Sequence, residues 1–190
     1  LGDIPPWLYK TIKIDERLHN EVSKHESPII LKTLAIENIQ NYSNSIHVYT
    51  DASKLSNGNV GVGIYFPLLH ISVSERVSNN VSIFAGELTA IKRSIEIFQQ
   101  NPMSQTQTLS IFSDSLSVIQ SLDSIKTCCR PNLLASVFEL ITKVNFKIIV
   151  IWVPSHIGIP GNEEADKLAL AGASLPLIQN NINFELSDAN

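Results

Sequence analysis

Four acidic residues stand out by their neighbours. Asp51 lies in Tyr49-Thr50-Asp51-Ala52-Ser53, and Glu87 in Gly86-Glu87-Leu88-Thr89-Ala90-Ile91. Asp114 lies in Phe112-Ser113-Asp114-Ser115, and Asp166 closes a run that begins at Trp152. Each borders an apolar segment that would face a core, so none reads as part of a solvated stripe. Four carboxylates brought together could not all ionise without cations to offset their repulsion. Such hard oxygen ligands suit Mg²⁺ or Mn²⁺ and not zinc, and a pair of such ions serves phosphodiester hydrolysis. A fifth residue, His156, sits in a loop punctuated by Pro154, Gly158, Pro160 and Gly161. Its imidazole, neutral near pH 7, can exchange protons with a leaving group. The other histidines (His19, His25, His47, His70) have no comparable setting.

Plainer readings exist for each acid taken singly. Asp51 before Ala-Ser can start a turn, and Asp114 before Ser-Leu-Ser can cap a helix. Asp166 in a first turn suits the helix dipole. Glu87 has no capping task so far into its helix. The coincidence of four, each beside a core element, favours a shared pocket over four separate caps.

The elements that would position them follow from periodicity. Ile46 to Asp51 suits a strand ending at the acid, and Ser56-Asn57-Gly58-Asn59 is hairpin chemistry leading into strands over Val60–Phe66 and about Leu68–Arg76. Phe84, Leu88, Ile91, Ile95 and Phe98 form one stripe of an amphipathic helix that stops at Asn101-Pro102. A strand over Thr108–Ser113 and a short helix from Ser115 to Leu122 follow, then a helix opened by Pro131. Phe146–Val153 is the apolar, β-branched run of a buried strand. Asn162 would cap a last helix through about Ala171, with Gly172 as its stop. The order βββαβα(α)βα predicts an α/β fold, a mixed five-stranded sheet (three antiparallel strands, two parallel) flanked by helices.

Upstream, residues 1–43 read as a lead-in segment or linker, interrupted by Pro5-Pro6 and Pro28, with a helix from Pro28 to about Gln40 and a polar Asn41–Ser45 link. The tail, 173–190, is polar, Asn-rich and expected to be loose; 44–172 is the expected domain. With 190 residues, 44% hydrophobic and 17% charged, the chain has enough apolar material for one cored domain and too little charge for general disorder. No apolar run reaches the length of a membrane span, and no signal peptide opens it. Adjacent Cys128-Cys129 gives neither a disulfide framework nor a zinc site, so an intracellular, reducing setting in cytoplasm or nucleus is expected. The first residue, Leu1, suggests a piece of something longer. A net charge of −4 argues against a nucleic-acid binder when taken alone, but the charges of 44–172 nearly balance, and two bound divalent ions would make that stretch positive.

Together, the four acidic motifs and the Trp152–Asp166 run resemble ribonuclease H of type I, above all the domain carried in polyproteins of non-LTR (LINE-like) retrotransposons. Ile4-Pro5-Pro6-Trp7 and Ile83-Phe84-Ala85-Gly86-Glu87 are similar to phrases found there. The resemblance covers about 44–172 firmly and 1–43 loosely. It implies a ribonuclease-H-like sheet and hydrolysis of the RNA strand of RNA–DNA hybrids with two Mg²⁺, for which Mn²⁺ can substitute. Asp51 would bridge both ions. Glu87 and Asp114 would hold the ion beside the attacking water, Asp166 would hold the ion on the leaving-group side, and His156 would assist proton transfer or product release. Ala52, Ser53, Ser115 and Asn162 are the implied substrate contacts, with the Glu87 side chain and backbone amides as candidates to read the 2′-hydroxyls. The implied partners are the hybrid and an upstream reverse transcriptase, with the isolated domain a monomer and no membrane.

Two departures stand against the family pattern. No clustered basic protrusion separates Asp114 from His156, where only Lys126, Arg130, Lys143 and Lys147 occur, and Phe84-Ala85 replaces polar or basic contacts. Weak grip on the hybrid by this domain alone is the expectation. A non-catalytic docking relative and a DNA-acting enzyme of the same fold remain as alternatives. The first usually loses carboxylates, and the second lacks the compact histidine loop.

Overall fold

The computed structural model describes residues 12–22, 26–79, 81–123 and 131–179; Cys128-Cys129, Pro5-Pro6 and the tail beyond 179 lie outside them. Chain order is β1 (Ile12–Asp15), α1 (Arg17–Glu21), α2 (Pro28–Gln40), β2 (Ile46–Lys54), β3 (Val60–Phe66), β4 (Ile71–Arg76) and α3 (Ile83–Gln99). After a 3-10 turn at Pro102–Gln105 come β5 (Leu109–Ser113), α4 (Leu116–Asp123), α5 (Pro131–Lys143), β6 (Ile148–Trp152) and α6 (Pro160–Ala173).

The strands form one sheet in the order β1-β6-β5-β2-β3-β4. It has six strands, which corrects the expected five: β1, β6, β5 and β2 run parallel, β3 returns antiparallel to β2, and β4 is antiparallel to β3. The added strand is Ile-Lys-Ile-Asp, too short and too charged to stand out by its pattern. It covers the otherwise open edge of β6, pairing Ile12 with Ile148 through Asp15 with Ile151.

Alternation along the strands splits the core in two. Val48, Ile111 and Val150 face the layer made by α3, α4 and α5, where Leu88, Ile91, Ile95, Phe98, Val137 and Ile141 are fully enclosed. Tyr49, Phe112 and Ile151 face the other way, toward Leu18 of α1, Ala35 of α2 and Ala165 of α6. The predicted stripe of α3 is therefore its buried face, and Ser82 caps it by accepting from the Ala85 amide. The hairpin is also as predicted: Gly58 has φ 86°, and the Leu55 amide donates to Asn59 across the turn.

Helix α6 lies directly on β3 because Gly61 and Gly63 carry no side chain. A Cβ on Gly61 would stand 1.9 Å from the Ala173 amide nitrogen, and one on Gly63 would stand 2.0 Å from the Ala165 carbonyl. Two expectations for α6 are corrected here. It starts at Pro160, so Asn162 is its third residue and not its cap, and it runs through Gly172 to Ala173. Proline at a first helical position costs no hydrogen bond. Gly172 serves contact instead of termination, since it faces the Glu75 backbone of β4. Beyond the helix, Arg76 ties down the start of the tail by donating to the Leu175 and Pro176 carbonyls.

Candidate active site

Register brings the first two acids together. Thr50 of β2 is paired with Ser113 of β5 in parallel, and Asp51 and Asp114 are the residues that follow them in the chain. Asp51 does not end its strand as expected: β2 continues to Lys54, held by the hairpin to β3, with Asp51 opposite Gly63. Asp114 does follow the last residue of β5. Glu87 arrives from α3, and the residue before it explains how. A Cβ on Gly86 would stand 2.9 Å from both the Ala52 Cβ and the Val60 Cγ1, so glycine lets the helix lie against β2 beside Asp51.

Carboxylate oxygens of Asp51, Glu87 and Asp114 all lie within 4.8 Å of one another. Asp166 of α6 is half-buried and outside that cluster, yet its charge pushes up both Asp51 and Asp114. His156 is exposed in the loop between β6 and α6, and its charge acts in the opposite sense on Asp114. That loop has two left-handed residues, His156 at φ 54° and Gly158 at φ 78°. Its shape is fixed by Glu163, whose Oε1 accepts from the Gly158 amide at 3.1 Å.

Asn162, on the inner face of α6, is 3% exposed and donates from Nδ2 to Asp114 Oδ2 at 3.2 Å. Trp152 donates its indole N–H to the Asp114 backbone carbonyl, also at 3.2 Å. Asn162, expected from the sequence as a cap and substrate contact, bonds Asp114, and Pro160 as the first helical residue is the signal that points there. The Trp152 bond had none. Of the other predicted contacts, the Ala52 amide is engaged by Asp51 Oδ1 at 2.8 Å, and the Ser115 amide by Ser113 Oγ. Ser53 is half-buried on β2 opposite Gly61.

Burial first, and then the neighbouring negative charges of Asp114 and Asp166, push Asp51 up to about 7. Burial pushes Glu87 well above its ordinary range, with Asp51 and Asp114 adding to it. Asp114 is raised by burial too, partly offset by the Asn162 bond and by His156. Glu87 Oε2 is buried without any hydrogen-bond partner. An orphaned acceptor among three destabilised carboxylates is a donor set that a hard divalent cation fits, and that nothing in the chain itself satisfies.

Comparison with known proteins agrees with this geometry. The ribonuclease H family profile matches residues 43–174, a span that contains all four acids, His156 and every strand but β1. No curated protein matches the chain. Among solved structures, LC11-RNase H1, isolated from compost by a metagenomic approach, superposes with a TM-score of 0.54 at 16% identity, covering 68% of this chain and 96% of that one. At that identity the likeness speaks for the fold. The family match adds the lineage, and with the sheet order and the acidic pocket in place the conclusion is direct: this chain belongs to the ribonuclease H family and is a ribonuclease H.

Proposed function

We propose that this chain cuts the RNA strand of RNA–DNA hybrids endonucleolytically, using two bound Mg²⁺ ions for which Mn²⁺ can substitute. The observation that carries the reading is the closed cluster of Asp51, Glu87 and Asp114, with one Glu87 oxygen left unpartnered. When bound, such ions supply electrostatic stabilisation of the attacking and leaving oxygens of an in-line displacement. Asp51, Glu87, Asp114 and Asp166 are the residues that would hold them.

The chain's own part is to position groups and move protons. Asn162 fixes the rotamer of Asp114 through Oδ2, and the Ala52 amide fixes Asp51 through Oδ1. Burial raises Glu87, so a compensating positive charge favours its ionised form and the site gains from ion arrival. His156, exposed on a loop of fixed shape, offers an imidazole nitrogen to protonate the departing 3′-oxygen. Backbone contacts along the hybrid carry no base information, so sequence preference is low, and 2′-hydroxyls distinguish the strand to be cut.

The same proposal places the chain in a LINE-like retrotransposon polyprotein, acting during reverse transcription beside an upstream reverse transcriptase, in cytoplasm or nucleus, with the isolated chain a monomer. Support for that context is the phrasing of Ile4-Pro5-Pro6-Trp7 and Ile83–Glu87. Among the described residues no helix is long and apolar enough to cross a membrane.

The test is incubation of labelled hybrid, duplex RNA and duplex DNA with the protein in Mg²⁺ or EDTA. Cleavage of RNA in the hybrid alone, lost in EDTA and in Asp114→Asn, is the expected result. Hybrid binding without cleavage would make this a docking domain, and cutting of duplex DNA would reassign the substrate.

A further inference from the structure

The family match begins at residue 43, yet α2, which precedes it, packs beside the histidine loop. Ala35 of α2 is in the same apolar cluster as Ile159, with Leu34, Ile39 and Ile157 packed against it, so the helix and the loop share a core. One turn before Ala35, the Lys32 side chain runs to Gly158: a Cβ built on that glycine would stand 2.9 Å from the Lys32 Nζ. Gly158 is also a left-handed residue, which favours glycine there, and its lack of a side chain leaves room for the ammonium.

Lys32 is half-buried, and among the described residues it has no hydrogen-bond or ion-pair partner. Several basic residues elsewhere near the sheet are already used. Lys54 donates to the Val81 carbonyl, Arg93 holds Glu75 and Glu96, and Arg76 holds the tail carbonyls. Even Glu163, which reaches back to Gly158, spends its carboxylate on the amide and makes no ion pair with Lys32. A half-buried cation without an acid, set against Gly158 in the loop that carries His156, is a place where an anion is wanted.

Resting on the hybrid-cleaving reading, we propose that Lys32 is a substrate contact supplied from outside the family domain, its ammonium binding a backbone phosphate on the His156 side of the cut. It compensates for the missing basic protrusion between Asp114 and His156 and makes α2 part of the nuclease instead of a passive link.

The test uses the full 190-residue chain with Lys32→Gln and Lys32→Arg. Hybrid binding is measured by fluorescence anisotropy over a salt series in the Asp114→Asn background, and cleavage is measured in the otherwise unsubstituted protein. Lys32→Gln is expected to weaken binding several-fold at low salt, with the difference closing as salt rises. The slope of log affinity against log salt should fall by about 0.7–0.9, the value of one phosphate contact. KM should rise with kcat kept, and Lys32→Arg should restore both. An unchanged salt slope and KM in Lys32→Gln, in a chain that still cuts hybrid, overturns this proposal alone. A chain that never cuts hybrid overturns the functional reading and this one with it. A lower thermal melting point with unchanged slope would make Lys32 a packing residue only, and that too overturns it.

Discussion

Two aspartates of the same sheet, both nearly inaccessible, are driven in opposite directions. Asp15, at the end of the edge strand β1, is 3% exposed, and Asp51, in the central strand β2, is 7% exposed. Burial works against the charge of each, yet Asp15 is held down at about 2 while Asp51 is pushed up to about 7. What surrounds them makes the difference. Arg17 grips both oxygens of Asp15, at 2.9 and 2.8 Å, its amide adds a third bond, and the Tyr42 hydroxyl donates as well. Asp51 has one amide and a shared hydrogen bond with Glu87, and it faces the negative charges of Asp114 and Asp166. Asp15 is therefore a finished structural network, complete within the chain. Asp51 belongs to a set that stays incomplete until a cation is supplied, and that is the physical mark of a working site.

Neutralising each aspartate in turn breaks the comparison most sharply. Asp51→Asn should cut cleavage by roughly a hundred- to a thousandfold, the scale on which one electrostatic stabiliser of a transition state counts. The metal-free protein should melt higher, because one of several repelling charges has gone. Asp15→Asn should do the reverse. Cleavage persists, while stability falls by about 1–2 kcal/mol, a figure kept low because the Arg17 side chain is largely exposed and its pairing is screened. Calorimetry and a hybrid-cleavage assay on the two variants read both halves. A destabilised Asp51→Asn would remove the distinction.

The pH dependence of stability carries the same contrast. Asp15 has a folded pKa below its unfolded value of 3.8, so its contribution is present above that pH and is lost as pH falls toward 2. Asp51 has a folded pKa above its unfolded value, so the folded state holds the proton more tightly, and stability is lost as pH rises from about 4 through 7. In EDTA the melting temperature should therefore decline across that window, and Mg²⁺ should flatten the decline. The decline should be shallower in Asp51→Asn, where the raised Glu87 and Asp114 remain. A metal-free protein whose melting point rises steadily from pH 4 to 8 would contradict the clustered acids.

Much of this contrast was invisible in the sequence, and for different reasons. Asp51, Glu87 and Asp114 announced themselves because each interrupts an apolar, strongly periodic segment whose element type was clear. Position in a parallel sheet then forces the two strand acids together once Thr50 and Ser113 are paired. The network of Asp15 had no such sign. Its strand is four residues long, its partner Tyr42 lies in what reads as a polar link, and only the tertiary fold brings the two together. Asn162 was misread as a helix cap because capping residue types are common at loop ends. The proline two positions earlier starts the helix sooner and rotates Asn162 inward to Asp114. In each miss a side chain acted at long range, where propensity has nothing to say.

The smallest effects should separate the two groups that steady Asp114. Asn162 bonds the carboxylate itself, so Asn162→Ala frees that carboxylate to rotate and should raise the Mg²⁺ concentration for half-maximal cleavage by about 10- to 100-fold, as losses of such orienting partners do. Trp152 bonds only the backbone carbonyl, which also accepts from the Leu116 amide at 3.0 Å and so keeps a partner when the indole N–H is removed. Trp152→Phe retains a ring to pack against His19, whose centroid lies 5.1 Å away edge-on. It should cost about 1 kcal/mol or less in stability and shift the Mg²⁺ requirement little. A magnesium titration of the two variants decides the ordering. If Trp152→Phe raised the requirement as far as Asn162→Ala, the strand end would be the part that holds Asp114 in place, and the carboxylate bond from α6 would be secondary.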